Sequence, residues 1–154
     1  MPNSRHHQLA DELSWPSSEA NPVPITPKHC WHMMKENTNV RLIDIRSTQE
    51  FLFVGHPVGA LHIPWLDEPD WVPNAAFVDQ VRSVMSEVEG DSQHPLMLIC
   101  RSGERSNEVG QLLSGAGLVN IFSVTDGFEG PLNQNNHRSQ LAGWRSEGLP
   151  WEQC

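Results

Sequence analysis

The sequence predicts an α/β domain with a mainly parallel central sheet flanked by helices on both faces. Three observations carry this. Short apolar runs alternate with stretches of helical periodicity, as in chains built from strand–helix–strand units. The runs are nearly all apolar rather than alternating with polar residues, which fits strands covered on both faces. At 154 residues, the chain suits one domain with a core of useful size.

Residues 1–22 are polar and interrupted by Pro16, Ser17, Ser18 and Pro22, and read as a flexible N-terminal arm; the domain takes up residues 23–154. Order is expected from about Ile25, with Thr26 as N-cap and Pro27 at the first position of a helix running to about Asn37. Arg41 to Ile45 is a buried strand ending in Asp44 and Arg46, and Ser47-Thr48-Gln49-Glu50 has the form of a capping box, so a helix should follow at once. Gly55, Pro57 and Gly59 mark a turn-rich stretch, and Ala60 to Ile63 a short strand stopped by Pro64.

Residues 65–73, with two tryptophans, three acids and two prolines, read as an irregular loop. Beyond Pro73, Phe77, Val81, Val84 and Val88 recur at helical spacing up to Gly90. Leu96-Met97-Leu98-Ile99 is the strongest buried-strand signal in the chain. Val109, Leu112, Leu113 and Ala116 mark one face of a helix closed by Gly117. Ile121 to Val124 is a further strand, Gly127, Gly130 and Pro131 break the chain, and Leu141 to Gly148 is expected to form a last short helix.

Composition removes several function classes. The net charge of −9 argues against nucleic acid as the main partner, because phosphate backbones select basic faces. It leaves room for a small anionic substrate held by a local pair of arginines. No apolar run is long enough to span a bilayer and Met1 to Trp15 lacks the apolar core of a secretory signal, so neither a membrane partner nor export is expected. Three cysteines without framework spacing point to a reducing compartment, taken here as the cytoplasm. The eight histidines lack ligand spacings, so neither a metal nor another cofactor is expected.

The chemistry concentrates where the strongest strand stops, at Cys100-Arg101-Ser102-Gly103-Glu104-Arg105-Ser106. In parallel α/β sheets, ligands gather beyond the carboxyl ends of strands, beside helix N-termini. Ser102 and Gly103 let the backbone curl, so the amides of residues 101–105 are expected to turn toward the sulfur and any anion above it. Donors and dipole together favour thiolate over thiol and make Cys100 a nucleophile. Arg101 and Arg105 can meet sulfur or phosphorus oxygens in bidentate fashion. A lone buried cysteine usually behaves as a small hydrophobe. That reading suits Cys30, whereas Cys154, the last residue, could take sulfur from Cys100 or pair between chains.

These residues resemble the rhodanese family. Leu42-Ile43-Asp44-Ile45-Arg46 with Glu50-Phe51 looks like its Asp-x-Arg strand and helix start. Gly55-His56-Pro57-Val58-Gly59-Ala60-Leu61-His62-Ile63-Pro64 is similar to its Gly-His-x-x-Gly-Ala-x-x-Ile-Pro turn. Asp126-Gly127-Phe128-Glu129-Gly130, Gly143-Trp144 and Gly148-Leu149-Pro150-Trp151 resemble the tail of its single-domain members. The resemblance covers roughly residues 25–151 and implies a rhodanese-like sulfurtransferase. Cys100 would take the outer sulfur of a small anionic donor such as thiosulfate, or of a persulfide, and pass it to cyanide or a thiol. Arg101 and Arg105 would hold the sulfonate, with Ser102, Gly103, Glu104 and Ser106 completing the substrate loop. A protein could serve as sulfur donor or acceptor, and the chain is expected to be a monomer or weak dimer.

Two rival readings stay open at this point. One is a sulfur-carrier or sensing module with little turnover of its own. The other is a phosphatase or arsenate reductase, which the resemblance disfavours: those relatives place five residues between cysteine and arginine, whereas four separate Cys100 from Arg105. Asp44 and Arg46 are read as a supporting pair that fixes nearby loops, and His56 as a structural hydrogen-bonding residue. Trp65 and Trp71 are the tryptophans best placed to line a substrate mouth. Glu104 sets a carboxylate beside the loop, where it could weaken thiosulfate binding or cap the helix, and Asp126 stands where many relatives have glycine.

Overall fold

A computed structural model describes residues 22–87 and 94–154. The elements follow the predicted alternation: β1 (Val23–Ile25), α1 (Pro27–Glu36), β2 (Arg41–Asp44), a π-helical turn (Glu50–Val54), β3 (His56–Pro57), β4 (Leu61–His62), α2 (Phe77–Ser86), β5 (Leu96–Ile99), α3 (Glu104–Gly115), β6 (Ile121–Val124) and β7 (Trp151–Glu152). Five strands form one parallel sheet in the order β1-β6-β5-β2-β4. The arm expected at residues 1–22 lies outside the described residues, Pro22 aside, as does the helix closure at Gly90.

Side-chain alternation along the strands divides the core in two. Val23, Ile25, Leu42, Met97, Ile99, Phe122 and Val124 point to one face and meet Cys30 and Met33 of α1, together with Phe128 and Trp144. Ile43, Ile45, Leu96, Leu98 and Ile121 point to the other and meet Phe77, Val81 and Met85 of α2 and Val109 and Leu113 of α3. Cys100 continues this second set, so its side chain emerges on the side of the sheet that α2 and α3 cover. Truncating such a residue, Leu98 for example, removes about 2–5 kcal/mol.

Local chemistry sets the helix ends. Thr26 caps α1 by accepting the His29 amide at 3.1 Å, with Pro27 inside the first turn. Ser47 and Glu50 form half of the expected capping box: Ser47 Oγ accepts the Glu50 amide at 3.3 Å, while Glu50 Oε1 accepts from the Ser47 hydroxyl at 3.1 Å instead of from its backbone amide. The helix they start is short and widens to π, because the Gly55 amide reaches back to Glu50 O at 3.1 Å.

Three expectations need correction. β1 is a strand, where only the onset of order was expected; it holds three residues including Pro24 and lies at the sheet edge, a place proline tolerates. The turn-rich stretch at 55–59 contains β3, which pairs antiparallel with β7 near the far end of the chain. Two residues a side is too short to leave a periodic signal. The helix expected at Leu141–Gly148 is a chain of turns. Its i→i+4 bond, Glu147 N to Gly143 O at 3.0 Å, is not propagated, because Gly143 and Gly148 both adopt positive φ.

Beyond the ends of β2 and β5, a buried ion pair ties the sheet to the turns. Arg46 Nε and Nη2 donate to Asp44 Oδ1 and Oδ2 at 3.0 and 2.7 Å, and Nη2 also donates to Gly55 O at 2.5 Å. The Arg46 guanidinium lies 4.5 Å over the Phe128 ring. Neither side chain is more than 2% exposed, so removing one partner strands the other charge away from water. Asp44→Asn should therefore lower unfolding stability by about 3–5 kcal/mol, read as a shifted urea midpoint.

Candidate functional site

Cys100 directly follows β5, and the chain turns there into α3. Gly103, at φ 104°, takes the left-handed conformation that folds the loop back over the sulfur. Cys100 Sγ accepts the amide of Gly103 at 3.1 Å and that of Ser106 at 3.3 Å. Of the amides expected from residues 101–105, Gly103's thus reaches the sulfur, and the second donor comes one residue beyond them, from the first turn of α3. Cys100 is only 4% exposed. Two amides and a helix N-terminus therefore meet a sulfur largely out of water, where they stabilise negative charge most.

A hydroxyl pair backs the sulfur. Ser106 Oγ lies 3.5 Å from Cys100 Sγ and 2.6 Å from Ser123 Oγ on β6, and it is 3.1 Å from Gly103 O. Ser123 escaped the sequence reading. Its signal was present as the one hydroxyl inside the buried run Ile121-Phe122-Ser123-Val124. A hydroxyl in such a run needs a partner, and Ser106 is that partner.

The outer side of the loop is braced by backbone alone. Cys100 O accepts the Phe128 amide at 2.8 Å, and Arg101 O accepts those of Glu129 and Gly130 at 2.9 and 3.1 Å. This approach requires Gly127: a Cβ there would stand 2.5 Å from Cys100 O, at φ 61°. Asp126, standing where many relatives have glycine, also adopts positive φ at 61°, a conformation open to aspartate at modest cost.

A pocket of about 400 Å³ opens over Cys100. Arg101, Ser102, Glu104 and Arg105 of the loop line it, joined by Arg46, by Ser47 and Glu50 of the neighbouring turn, by Leu66 and Trp71 of the 65–73 loop, and by Glu108. Gly103 and Ser106 act on the sulfur instead, and Asp44 holds Arg46 from below. Glu50, Leu66 and Glu108 were not foreseen; Glu108 sits one helical turn beyond Glu104, and the spacing alone could have flagged it. Arg105 Nη1 lies 3.6 Å from Glu108 Oε2 in solvent, a weak pair.

Other chemistry-bearing residues sit elsewhere. Trp65 packs edge-on against Phe77 at 5.4 Å rather than lining the pocket. His56 stacks on Phe51 at 3.7 Å and its Nδ1 donates to Phe51 O at 2.7 Å, a structural arrangement. Cys30 is wholly buried 3.0 Å from Met97 Sδ, and burial pushes its thiol far up. Cys154 is exposed, bonded through its amide to Leu52 O, and is not part of the pocket. Among the described residues, no cluster of three His, Cys, Asp or Glu side chains is placed to hold a metal ion, and no helix is long and apolar enough to cross a membrane.

Comparison with known proteins bears on the family and the fold. The family model for the rhodanese-like domain matches residues 26–133. An uncharacterized protein of Rickettsia conorii is 32% identical over 129 residues, covering 79% of this chain and 90% of its own. The thiosulfate sulfurtransferase GlpE of Haemophilus influenzae is 31% identical over 106 residues, covering 69% of this chain and 84% of its own. The crystal structure of Rv0390 from M. tuberculosis superposes with a TM-score of 0.74 at 32% identity, covering 88% of this chain and all of that one.

Two outcomes follow from the geometry. Gly127→Ala should cost about 3 kcal/mol or more in urea denaturation, since it combines a strained φ with a backbone collision. Iodoacetamide at neutral pH should label Cys100 and Cys154, while Cys30 stays unmodified until the chain is unfolded; peptide mass mapping reads this directly.

Proposed function

The chain belongs to the rhodanese-like domain family, and on that premise we propose that it is a sulfurtransferase carrying sulfane sulfur on Cys100. The observation that carries the reading is the sulfur itself, held by the Gly103 and Ser106 amides at the floor of an open pocket. The donor is thiosulfate or a persulfide, and the acceptor is cyanide or a thiol. The similarity to a thiosulfate sulfurtransferase supports this assignment.

The Cys100 thiolate attacks the outer sulfur of thiosulfate. The new Sγ–S bond forms as the S–S bond of the donor breaks, and sulfite leaves with the bonding pair. Arg101 and Arg105 offset the charge that gathers on the departing oxygens. The persulfide then occupies the cradle until an acceptor attacks its outer sulfur and regenerates the thiolate. Attack by the thiolate form needs no separate general base, and the pocket lining offers no histidine for that role. Asp44 and Arg46 support the loop from below without touching the reacting atoms. Three free thiols suit a reducing setting such as the cytoplasm.

Treatment with thiosulfate followed by desalting should add one sulfur atom to the intact mass. The gain should reverse with cyanide, yield thiocyanate, and be absent in Cys100→Ser. Failure of every sulfane donor to add mass would overturn the reading. Rapid loading with slow steady-state thiocyanate formation would identify the carrier form of the same chemistry. Hydrolysis of an aryl phosphate dependent on Cys100 would favour the phosphatase reading instead.

A further inference from the structure

The pocket over Cys100 is larger than thiosulfate alone needs, and its carboxylates match its arginines in number. A five-atom oxyanion fills on the order of 100 Å³, scaling from water's share of about 30 Å³, whereas the pocket holds about 400 Å³. Its lining carries three carboxylates, Glu50, Glu104 and Glu108. Of its arginines, Arg46 is spent on Asp44, and Arg105 lies 3.6 Å from Glu108. Arg101 alone among these three has no side-chain ion pair or hydrogen bond among the described residues. A dianion entering here meets Arg101 and a half-exposed Arg105, but within a rim that also carries Glu104 and Glu108.

The opposite wall is apolar and held in place. Trp71, 51% exposed, lines the pocket with Leu66, and Val72, next along the chain, is 61% exposed outside that lining. Trp71 sits at φ 54°, an unfavourable conformation for a bulky residue. Its amide donates to Asp67 O at 2.9 Å, and the Asp67 carboxylate in turn accepts the Thr48 amide at 2.9 Å. Leu66 and Pro73 bridge across the base of this loop. An exposed indole on a loop anchored through its backbone, in a conformation that costs energy, is a contact surface awaiting a partner.

We propose that the natural sulfur donor or acceptor of Cys100 is a cysteine displayed on a basic polypeptide segment, flanked by lysine or arginine and by an apolar residue. The cationic flank meets Glu104 and Glu108, and the apolar residue covers Trp71 and Val72. Charge complementarity selects this occupant, since the rim disfavours an acidic peptide and a small anion leaves the apolar wall uncovered. In the donor direction, the Cys100 thiolate attacks the outer sulfur of the peptide persulfide. An Sγ–S bond forms, the peptide S–S bond breaks, and the peptide thiolate departs. The proton on the transferred sulfur travels with it, and nothing is oxidised or reduced overall. This inference rests on Cys100 carrying sulfur, as proposed above.

Two synthetic peptide persulfides test it, alike except that lysines flank the cysteine in one and glutamates in the other. Sulfur uptake is followed by intact mass in the wild-type chain and in the Glu104→Gln, Glu108→Gln double variant, with thiosulfate loading run beside them. The lysine peptide should load the wild type about tenfold faster, a gap that closes to about twofold in the double variant and in molar salt. The double variant should also lower the thiosulfate KM several-fold, and Trp71→Ala should slow loading from the lysine peptide several-fold. Equal loading of the two peptides by the wild type overturns the inference while leaving sulfur transfer intact, as does a gap that survives the double variant. If no donor loads Cys100, sulfur carriage itself fails and takes the inference with it.

Discussion

Cys100 Sγ is nearly out of water, yet two backbone amides converge on it at 3.1 and 3.3 Å, and most of the local structure exists to make that convergence possible. A sulfur at the end of a buried strand would ordinarily be one more apolar side chain. Here Gly103 turns the chain left-handed at once, so the first amides of α3 point back instead of into solvent. The donors are backbone groups with fixed geometry. No side chain must be ordered to present them, and charge on the sulfur finds them already oriented.

A loop folded back on itself has to be held from outside, and the sheet alone cannot do so. The carbonyls of Cys100 and Arg101 point away from the sulfur, where Phe128, Glu129 and Gly130 donate to them. That second segment is fixed in its turn by the Trp144 amide on Gly127 O at 2.9 Å and by Phe128, wholly buried in the first core face. Arg46 lies over the same Phe128 ring while paired with Asp44. The cradle therefore depends on parts of the chain from β2 to the turns before β7, which explains why its supporting residues are scattered while its reactive ones are contiguous.

That division decides what could be read without coordinates. β2, β5, β6 and all three helices were legible, because each leaves a local signature of apolar runs, helical spacing or caps. The Cys100 loop was legible because its parts follow one another directly. What escaped had no local signal. β3 and β7 make sense only as a pair joined across the fold. Ser123 matters because the β5–β6 register sets it opposite Leu98, behind the Cys100 loop. The turns at 141–148 carry enough apolar residues to suggest a helix, and the positive φ of Gly143 and Gly148 overrides that pattern.

The cradle and its mouth pull in opposite electrostatic directions. At the floor, amides and a helix N-terminus favour negative charge, and that suits a thiolate or persulfide which, once formed, is carried inside. At the rim, Glu104 stands in the first turn of the same helix and Glu108 one turn on, so the dipole that favours charge on the sulfur also favours the Glu104 carboxylate. One helix end thus serves two anions. The inner one belongs to the reacting atom and the outer one to the entrance. A donor reaching the sulfur through such an entrance does so at less cost when its charge is positive or neutral there and becomes negative only on the sulfur that leaves.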